Sequence, residues 1–322
     1  MRLAFWHTDL SRKGPGLLLR DVLRGDPQVS AVAAGLVQAG ADVVVLADVD
    51  YDHGLVTLGA LRDLLVQDGV TYPHMIAIRP NKGIDTGVDL DGDGRLGMAD
   101  DAQGYGRFGG QGGLAVLSRH PIALTRDHST VLWRDLPGSL IIDYTGHTGS
   151  AAKGAAVQRL ATVAHVEVVV TPARAPPVTL MIFHAGPPVF DGPEDRNGRR
   201  NHDEVIFWRH RLDGAFGAPP DRPVLIGAAN LAPEGGDGRN LAIRTLLADP
   251  RLTDPPGLRD QPTVDWPAPG PGQLRVDYIL PAVDLPVVAS GVMAADPQAS
   301  RHRLIWVDLD QAASRSAAAS GN

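Results

Sequence analysis

Leu180-Met181-Ile182-Phe183-His184 is a run of four apolar residues closed by a histidine, and three other segments repeat its pattern. Before it comes Asp42-Val43-Val44-Val45-Leu46-Ala47-Asp48-Val49-Asp50. After it come Val224-Leu225-Ile226-Gly227-Ala228-Ala229-Asn230 and Arg275-Val276-Asp277-Tyr278-Ile279-Leu280, the latter followed by Ser300-Arg301-His302. Such apolar runs are too short for helices and suit strands covered on both faces. Each ends near a polar residue, as strands do when a sandwich presents chemistry along one rim.

Working outward, Asp26-Pro27 reads as an N-cap with proline at the first helical position. Val29, Val32, Ala33, Leu36 and Val37 then recur at helical spacing before Gly40. Leu58, Leu61 and Leu65 predict a second helix over 57–67, and Val205, Phe207, Trp208 and Leu212 a third over 200–212. Further strands are expected at 114–117, 163–170 and 304–309. Residues 81–113 are rich in glycine and aspartate and read as a long ordered loop. Strands outnumber helices, which predicts a layered α+β sandwich. It occupies residues 1–310 as one domain, with 311–322 as a flexible Ala/Ser/Gly tail.

Composition narrows the chemistry. Of 322 residues, 43% are hydrophobic and 21% charged, enough for a substantial core. The 37 glycines and 26 prolines exceed the roughly 12% of average usage and forecast long, shaped loops. Thirty basic against 37 acidic residues give a net charge of −7, which disfavours a dedicated nucleic-acid binder but not an enzyme that meets phosphate in a local cleft. There is no cysteine, so thiolate metal sites and cysteine nucleophiles are excluded. The apolar runs are strand-sized, and His7 and Asp9 fall too early for a signal sequence. The expectation is a cytoplasmic protein with no membrane segment.

Residues 89–100, Asp-Leu-Asp-Gly-Asp-Gly-Arg-Leu-Gly-Met-Ala-Asp, place acids at loop positions one, three, five and twelve, with glycine at six. That spacing curls the carboxylates of Asp89, Asp91, Asp93 and Asp100 and the carbonyl of Arg95 around one point, the oxygen-rich environment a calcium ion requires. Position twelve is aspartate where glutamate is usual. No helices obviously flank the loop, so a structural calcium site is expected rather than a helix–loop–helix domain.

Taken in order, the strand-end segments, the DLDGDG loop and the stretch Val189-Phe-Asp-Gly-Pro-Glu-Asp-Arg-Asn-Gly-Arg-Arg-Asn-His-Asp-Glu204 resemble the endonuclease/exonuclease/phosphatase superfamily. More narrowly, they are similar to a bacterial branch that carries such a loop. The resemblance runs from Leu3 to about Leu309. It implies a deoxyribonuclease-like four-layer α/β/β/α sandwich and metal-dependent phosphoester hydrolysis. It implies that His184 donates a proton or steadies the phosphate, and that Asn230 contacts a phosphate oxygen. His302 matches the histidine of the family's Ser-Asp-His ending, and Asp277 the carboxylate that orients it. Asp48, and His7 in place of an asparagine, fall at metal-site positions, where magnesium or manganese is implied.

The chain also departs from that pattern. Gly227-Ala228-Ala229-Asn230 stands for Gly-Asp-x-Asn, and Ser300-Arg301-His302 for Ser-Asp-His. Asp48 is one methylene shorter than the usual glutamate, and Ala232 replaces an acid before Pro233. Positioned acid–base help is worth about 10²–10⁴ in rate, so weak or absent magnesium-dependent activity is expected. One alternative is a rebuilt manganese or zinc site drawing on His7, Asp48, Asp50, His165, His184 and His302. Another is a non-catalytic protein in which Arg301, Arg275 and Asn230 hold a phosphate-bearing small ligand, nucleic acid being less favoured. The charged stretch from Arg196 to Glu204, including Arg199, reads either as a substrate groove or as a salt-bridged lead-in to a helix. Trp133 reads as a loop anchor or a stacking platform.

Overall fold

The computed structural model describes residues 1–142 and 150–310, so the expected tail, 311–322, lies outside the described residues. In chain order the strands are β1 (Arg2–His7), β2 (Val43–Val49), β3 (His74–Ile78), β4 (Gly113–Ser118), β5 (Ile122–Asp127), β6 (His165–Val170), β7 (Val178–His184), β8 (Pro223–Ala228), β9 (Val264–Trp266), β10 (Gly272–Leu274), β11 (Asp277–Pro281), β12 (Val287–Val292) and β13 (Ile305–Leu309). The helices are α1 (Leu17–Leu23), α2 (Pro27–Ala39), α3 (Val56–Gln67), α4 (Ser150–Val157), α5 (Arg196–Leu212) and α6 (Leu241–Leu247). One sheet runs β12-β13-β1-β2-β4-β3 and the other β11-β8-β7-β6-β5, with β9 and β10 forming a separate hairpin.

Strand parity builds the layers. In β1, Leu3 and Phe5 face one apolar cluster while Ala4 and Trp6 face another. In β7, Leu180 and Ile182 join the first cluster, and Met181 and Phe183 face a third. The shared cluster is the stratum between the two sheets. The second cluster packs the outer face of the first sheet against α1–α3, and the third packs the other sheet against α5 and α6. The result is a four-layer α/β/β/α sandwich. Period-two alternation puts every second side chain on each side of a sheet. His7 and His184, the last residues of β1 and β7, therefore continue the inner faces of opposite sheets.

The helix expected over 57–67 runs Val56–Gln67, and α2 has Asp26 as its N-cap, its carboxylate accepting from the amides of Gln28 and Val29. The third helix begins at Arg196, four residues earlier than the apolar spacing indicated. Its first turns carry buried polar residues instead of the apolar signal that marks the rest. No helix among the described residues is long and apolar enough to cross a membrane.

His165 shows the same parity rule removing a candidate. It sits on the outer side of β6, stacked on Phe207 with ring centroids 4.7 Å apart and both ring nitrogens unpartnered. Burial, then repulsion from His128 and Arg200, pulls its pKa down to about 3. The unfolded chain takes up a proton near pH 6.5 and the folded one does not, so stability falls as pH drops below about 6.5 and levels off near pH 3. At pH 5 this residue alone costs about 2 kcal/mol. His165→Phe is expected to flatten the acid limb of a melting-temperature curve, and an unchanged limb would refute the assignment.

Candidate active site

The inner-face strand ends meet at one rim. The His7 ring stacks on His302 at 4.1 Å between centroids, and lies edge-on to His184 at 4.9 Å. His302 Nδ1 lies 2.8 Å from Asp277 Oδ2, and both side chains are buried. The turn bearing His302 is fastened to β1: Ser300 Oγ donates to the His7 carbonyl at 2.7 Å, and Trp6 Nε1 donates to the His302 carbonyl at 2.9 Å. Cross-strand register sets His184 beside Ala228, and Ala228 beside Asp277. Ala228 is fully buried, so this row has no carboxylate between its histidine and its aspartate.

Asp48 reaches the same rim through a β-bulge between Ala47 and Val49, with φ of 60°. Gly112 leaves room for it: a Cβ there would collide with the Asp48 carboxylate and lie 2.7 Å from Lys82 Nζ. Lys82 Nζ is 3.4 Å from Asp48 Oδ1. Asp9 completes the cluster. Each of His7, Asp9 and Asp48 offers one ligand atom, and these atoms lie within 4.8 Å of one another. Asp9, Asp48 and Asn230 all have positive φ, at 52°, 60° and 49°. Such left-handed backbone is uncommon for non-glycine residues and concentrates at functional sites.

The site's electrostatics follow from burial and pairing. Burial, then repulsion from His302, brings the His7 pKa down to about 4. Burial likewise holds His184 well below its ordinary value, with His7, Lys82 and His302 adding to the effect. Both histidines are therefore neutral near pH 7, the form that can ligate a metal. For Asp9, burial alone raises the pKa, but His7 and the Arg301 guanidinium outweigh it and hold the carboxyl well below the usual range. Arg301 grips Asp9 with Nε at 3.2 Å and a terminal nitrogen at 3.1 Å. The positive charge that Arg301 brings to this rim is thus largely offset by the partner carboxylate.

The fit of a metal rests on two observations. His7 Nδ1 is buried without a hydrogen-bond partner, 3.6 Å from Asp9 Oδ1. The three groups also supply one nitrogen and two carboxylates, a donor set suited to manganese or zinc.

Other candidates sit elsewhere. Asp50 accepts from the amides of Gly112 and Arg12, each at 3.0 Å, and so ties loops together. Arg275 is paired with Asp254 and lies over the Tyr278 ring. Arg199 donates to the Glu194 carbonyl, and it is Arg196 and Arg200 that line the neighbouring cavity. Asn230 Nδ2 donates to the Ala185 carbonyl at 2.8 Å, which places the residue one step beyond His184. Trp133 is a loop anchor, its Nε1 donating to Asp203 Oδ2 at 2.6 Å.

The charged stretch at the start of α5 proves to be a buried clamp. Asn201 donates to the carbonyls of Gly186 and Ala229 at 2.8 and 2.7 Å, joining the loops that follow β7 and β8. Glu204 accepts from the amides of Gly186 and Thr162, and burial pushes its pKa up to about 7. The guanidinium of Arg200 donates to the carbonyls of Gln103, Arg159, Leu160 and Ala161.

In the acidic loop, Asp101 rather than Asp100 lies within mutual reach of Asp89 and Asp91. Asp101 is buried and accepts from the amides of Leu90 and Met98. Although the Asp93 amide donates to Asp91, burial and the Asp100 and Asp93 carboxylates raise the Asp91 pKa. The Arg95 side chain is exposed, and its amide donates to Asp93.

Sequence reasoning missed Asp9 and Lys82. The strand-end rule applied to His7-Thr8-Asp9 points to Asp9, two residues beyond β1. Lys82 enters from the long loop, and only tertiary closure brings it to Asp48.

A two-sheet sandwich with histidines and carboxylates converging on one rim defines the deoxyribonuclease-like class. The model of the Endonuclease/Exonuclease/phosphatase family matches residues 13–302, and the chain belongs to that family. Among solved structures it is similar to the endonuclease/exonuclease/phosphatase of Beutenbergia cavernae DSM 12333, at 21% identity over 97% of this chain and 71% of that one, with a TM-score of 0.60. It is also similar to a mannosyl-6-phosphatase of Bacteroides thetaiotaomicron VPI-5482, at 11% identity over 96% and 99% of the two chains, TM-score 0.55. A third is sphingomyelinase C of Streptomyces griseocarneus, at 15% identity over 95% and 98%, TM-score 0.53. Identities this low speak to the fold alone. No protein of curated function matches the sequence.

Proposed function

We propose that the protein is a metal-dependent phosphoester hydrolase with a rebuilt cleft metal centre, His7–Asp9–Asp48, and weak activity with magnesium alone. The observation that carries this reading is the convergence of those three ligand atoms within 4.8 Å, beside the Asp277–His302 pair. A manganese or zinc ion held there supplies positive charge against the phosphoryl oxygens. Asp277 accepts from His302 Nδ1, which fixes the tautomer and leaves Nε2 to take or give a proton. His184 lends a buried, unpartnered Nδ1 to the same cleft. Asn230 and Arg301 are suited to phosphate oxygens, Arg301 once released from Asp9. Small phosphoesters fit this site better than nucleic acid, given the chain's net charge of −7.

Ala228 favours a second reading, in which phosphate is bound but not cut, because no carboxylate stands there to activate water. Hydrolysis of bis-p-nitrophenyl phosphate across Mg²⁺, Mn²⁺, Zn²⁺ and Ca²⁺ separates the two. The expected result is at least about tenfold faster turnover with Mn²⁺ or Zn²⁺ than with Mg²⁺. No turnover with any metal, together with a phosphate-induced rise in melting temperature, supports the binding protein. Activity that appears only in Ala228→Asp marks an intact scaffold that has lost its chemistry.

The acidic loop is proposed to hold calcium through Asp89, Asp91 and Asp101, with Asp93, Asp100 and the Arg95 carbonyl in support. At 100 times its dissociation constant, calcium stabilises by about 2.7 kcal/mol, a melting-temperature rise of several degrees. Asp89→Asn with Asp91→Asn is expected to abolish the calcium-induced rise; a rise that persists in the double variant defeats the proposal.

A further inference from the structure

Lys82 reaches the rim from a fixed base. Asn81, 1% exposed, donates through its amide to the Val163 carbonyl at 2.8 Å and through Nδ2 to the carbonyls of Ser129 and Ala161, each at 2.7 Å. On the other side, the Gly83 amide donates to the Gly104 carbonyl at 3.0 Å. Gly83 has φ of 72°, and a Cβ there would collide with the Phe108 carbonyl, so the turn admits only glycine. What is left to move is the four-carbon stem.

The ammonium at its end is loosely held. Nζ carries three donors, and among the described residues its one hydrogen-bond partner is Asp48 Oδ1 at 3.4 Å. Charge-assisted bonds are ordinarily about 2.7–2.9 Å long. Arg301 is the contrast, since it holds Asp9 through two nitrogens of a rigid fork. Each carboxylate of the His7–Asp9–Asp48 cluster is thus met by a cation, and Lys82 is the more readily released. The Lys82 side chain is 20% exposed against 60% for Arg301, so water and salt screen its charge less.

The position of the ammonium is the other half of the case. Lys82 and His184 both line a cavity of about 970 Å³. Burial, then repulsion from His7 and from Lys82, holds the His184 pKa well below its ordinary value. Gly112 keeps the space beside Nζ open. The ammonium therefore stands between the metal cluster and His184, the two groups that a phosphoryl group at this rim has to meet.

We propose that Lys82 is a phosphate-binding residue that changes partners: its ammonium rests on Asp48 in the free protein and swings to a non-bridging phosphoryl oxygen when phosphate enters the cleft. The proposal deepens the phosphoester-hydrolase reading and rests on it. Lys82 gives up Asp48 when that carboxylate ligates a cation, and phosphate then supplies a new acceptor. Cation and phosphate each favour the other's binding, by an equal factor. Lysine suits such a move, because a point charge with three rotatable donors needs no single orientation on its acceptor.

The test measures binding, by calorimetry of inorganic phosphate against the full chain at saturating Mn²⁺. Lys82→Met keeps the stem and removes the charge. It is expected to raise the phosphate dissociation constant at least about tenfold, or 1.4 kcal/mol. The Mn²⁺ dissociation constant, measured without phosphate, is expected to stay level or fall, because Asp48 loses a competitor. Phosphate affinity equal to that of the native protein overturns the proposal. So does a Mn²⁺ affinity that weakens as much as phosphate affinity, which would make Lys82 a prop of the metal cluster. If Lys82→Met does not fold, the native protein decides, since Lys82 shares the chain with only Lys13 and Lys153. Phosphate is expected to slow acetylation of Lys82 by acetic anhydride at least about threefold relative to Lys13, as its ammonium becomes engaged; an unchanged rate overturns the swing. The hydrolase reading fails separately, if no metal supports turnover of bis-p-nitrophenyl phosphate. The phosphate titration is then run without metal, where the same tenfold contrast supports Lys82 as a binding residue and equal affinity overturns it.

Discussion

Asp48→Asn is expected to lower Mn²⁺-dependent turnover by about 10³-fold and to raise the half-saturating Mn²⁺ concentration. The substitution keeps the side chain's volume in the pocket beneath Gly112, so the bulge on β2 persists and the loss is chemical. It removes one of two carboxylates from a three-ligand cluster and leaves Lys82 Nζ without its acid. A 10³-fold loss corresponds to about 4 kcal/mol of barrier, the several kcal/mol that a charge held against a phosphoryl oxygen supplies. Melting temperature, measured in parallel, separates this from unfolding. Turnover within threefold of the native protein at saturating Mn²⁺ would place the metal elsewhere. Arg301→Ala works in the opposite direction on metal binding. It frees Asp9 from a guanidinium that competes for both its oxygens, so half-saturating Mn²⁺ is expected to fall.

The contrast between Asp48 and Asp9 shows what the sequence carries. Strand ends are legible because a polar residue interrupts a β-branched run, and that alone brings out Asp48, His184, Asn230 and Asp277. Their common destination follows from parity, since His7 and His184 extend the inner faces set by Leu3, Phe5, Leu180 and Ile182. Edge elements leave a fainter mark. β5 is mostly exposed, β12 has no fully buried position, and α1 has only seven residues, so none shows a sustained apolar period. Pairings across hundreds of residues leave none. Arg301 reads alone as a cation set against a metal, yet Asp9, nearly three hundred positions earlier, is its counter-charge. The buried clamp at Asn201 and Glu204 was equally hidden, because charge at the start of a helix ordinarily signals solvent.

The same buried economy makes Asp277 the most exacting test of the proton-handling role. Asp277 is 1% exposed, and its one hydrogen-bonded oxygen, Oδ2, faces His302 Nδ1. Its amide donates to Thr263 Oγ1, so the backbone stays anchored whatever the side chain becomes. Asp277→Asn can present an amide N–H to the imidazole in place of an acceptor, which turns the ring to the other tautomer. If His302 moves a proton during hydrolysis, kcat falls by about 10²–10⁴. KM stays within about threefold, because Asp277 lies behind the histidine and does not touch the substrate. A matched fall in His302→Ala, with no further loss in the double variant, shows the two acting as a unit. A kcat that survives Asp277→Asn would instead make the pair a structural tie between β11 and the turn before β13, and the proton would have to be handled by His184.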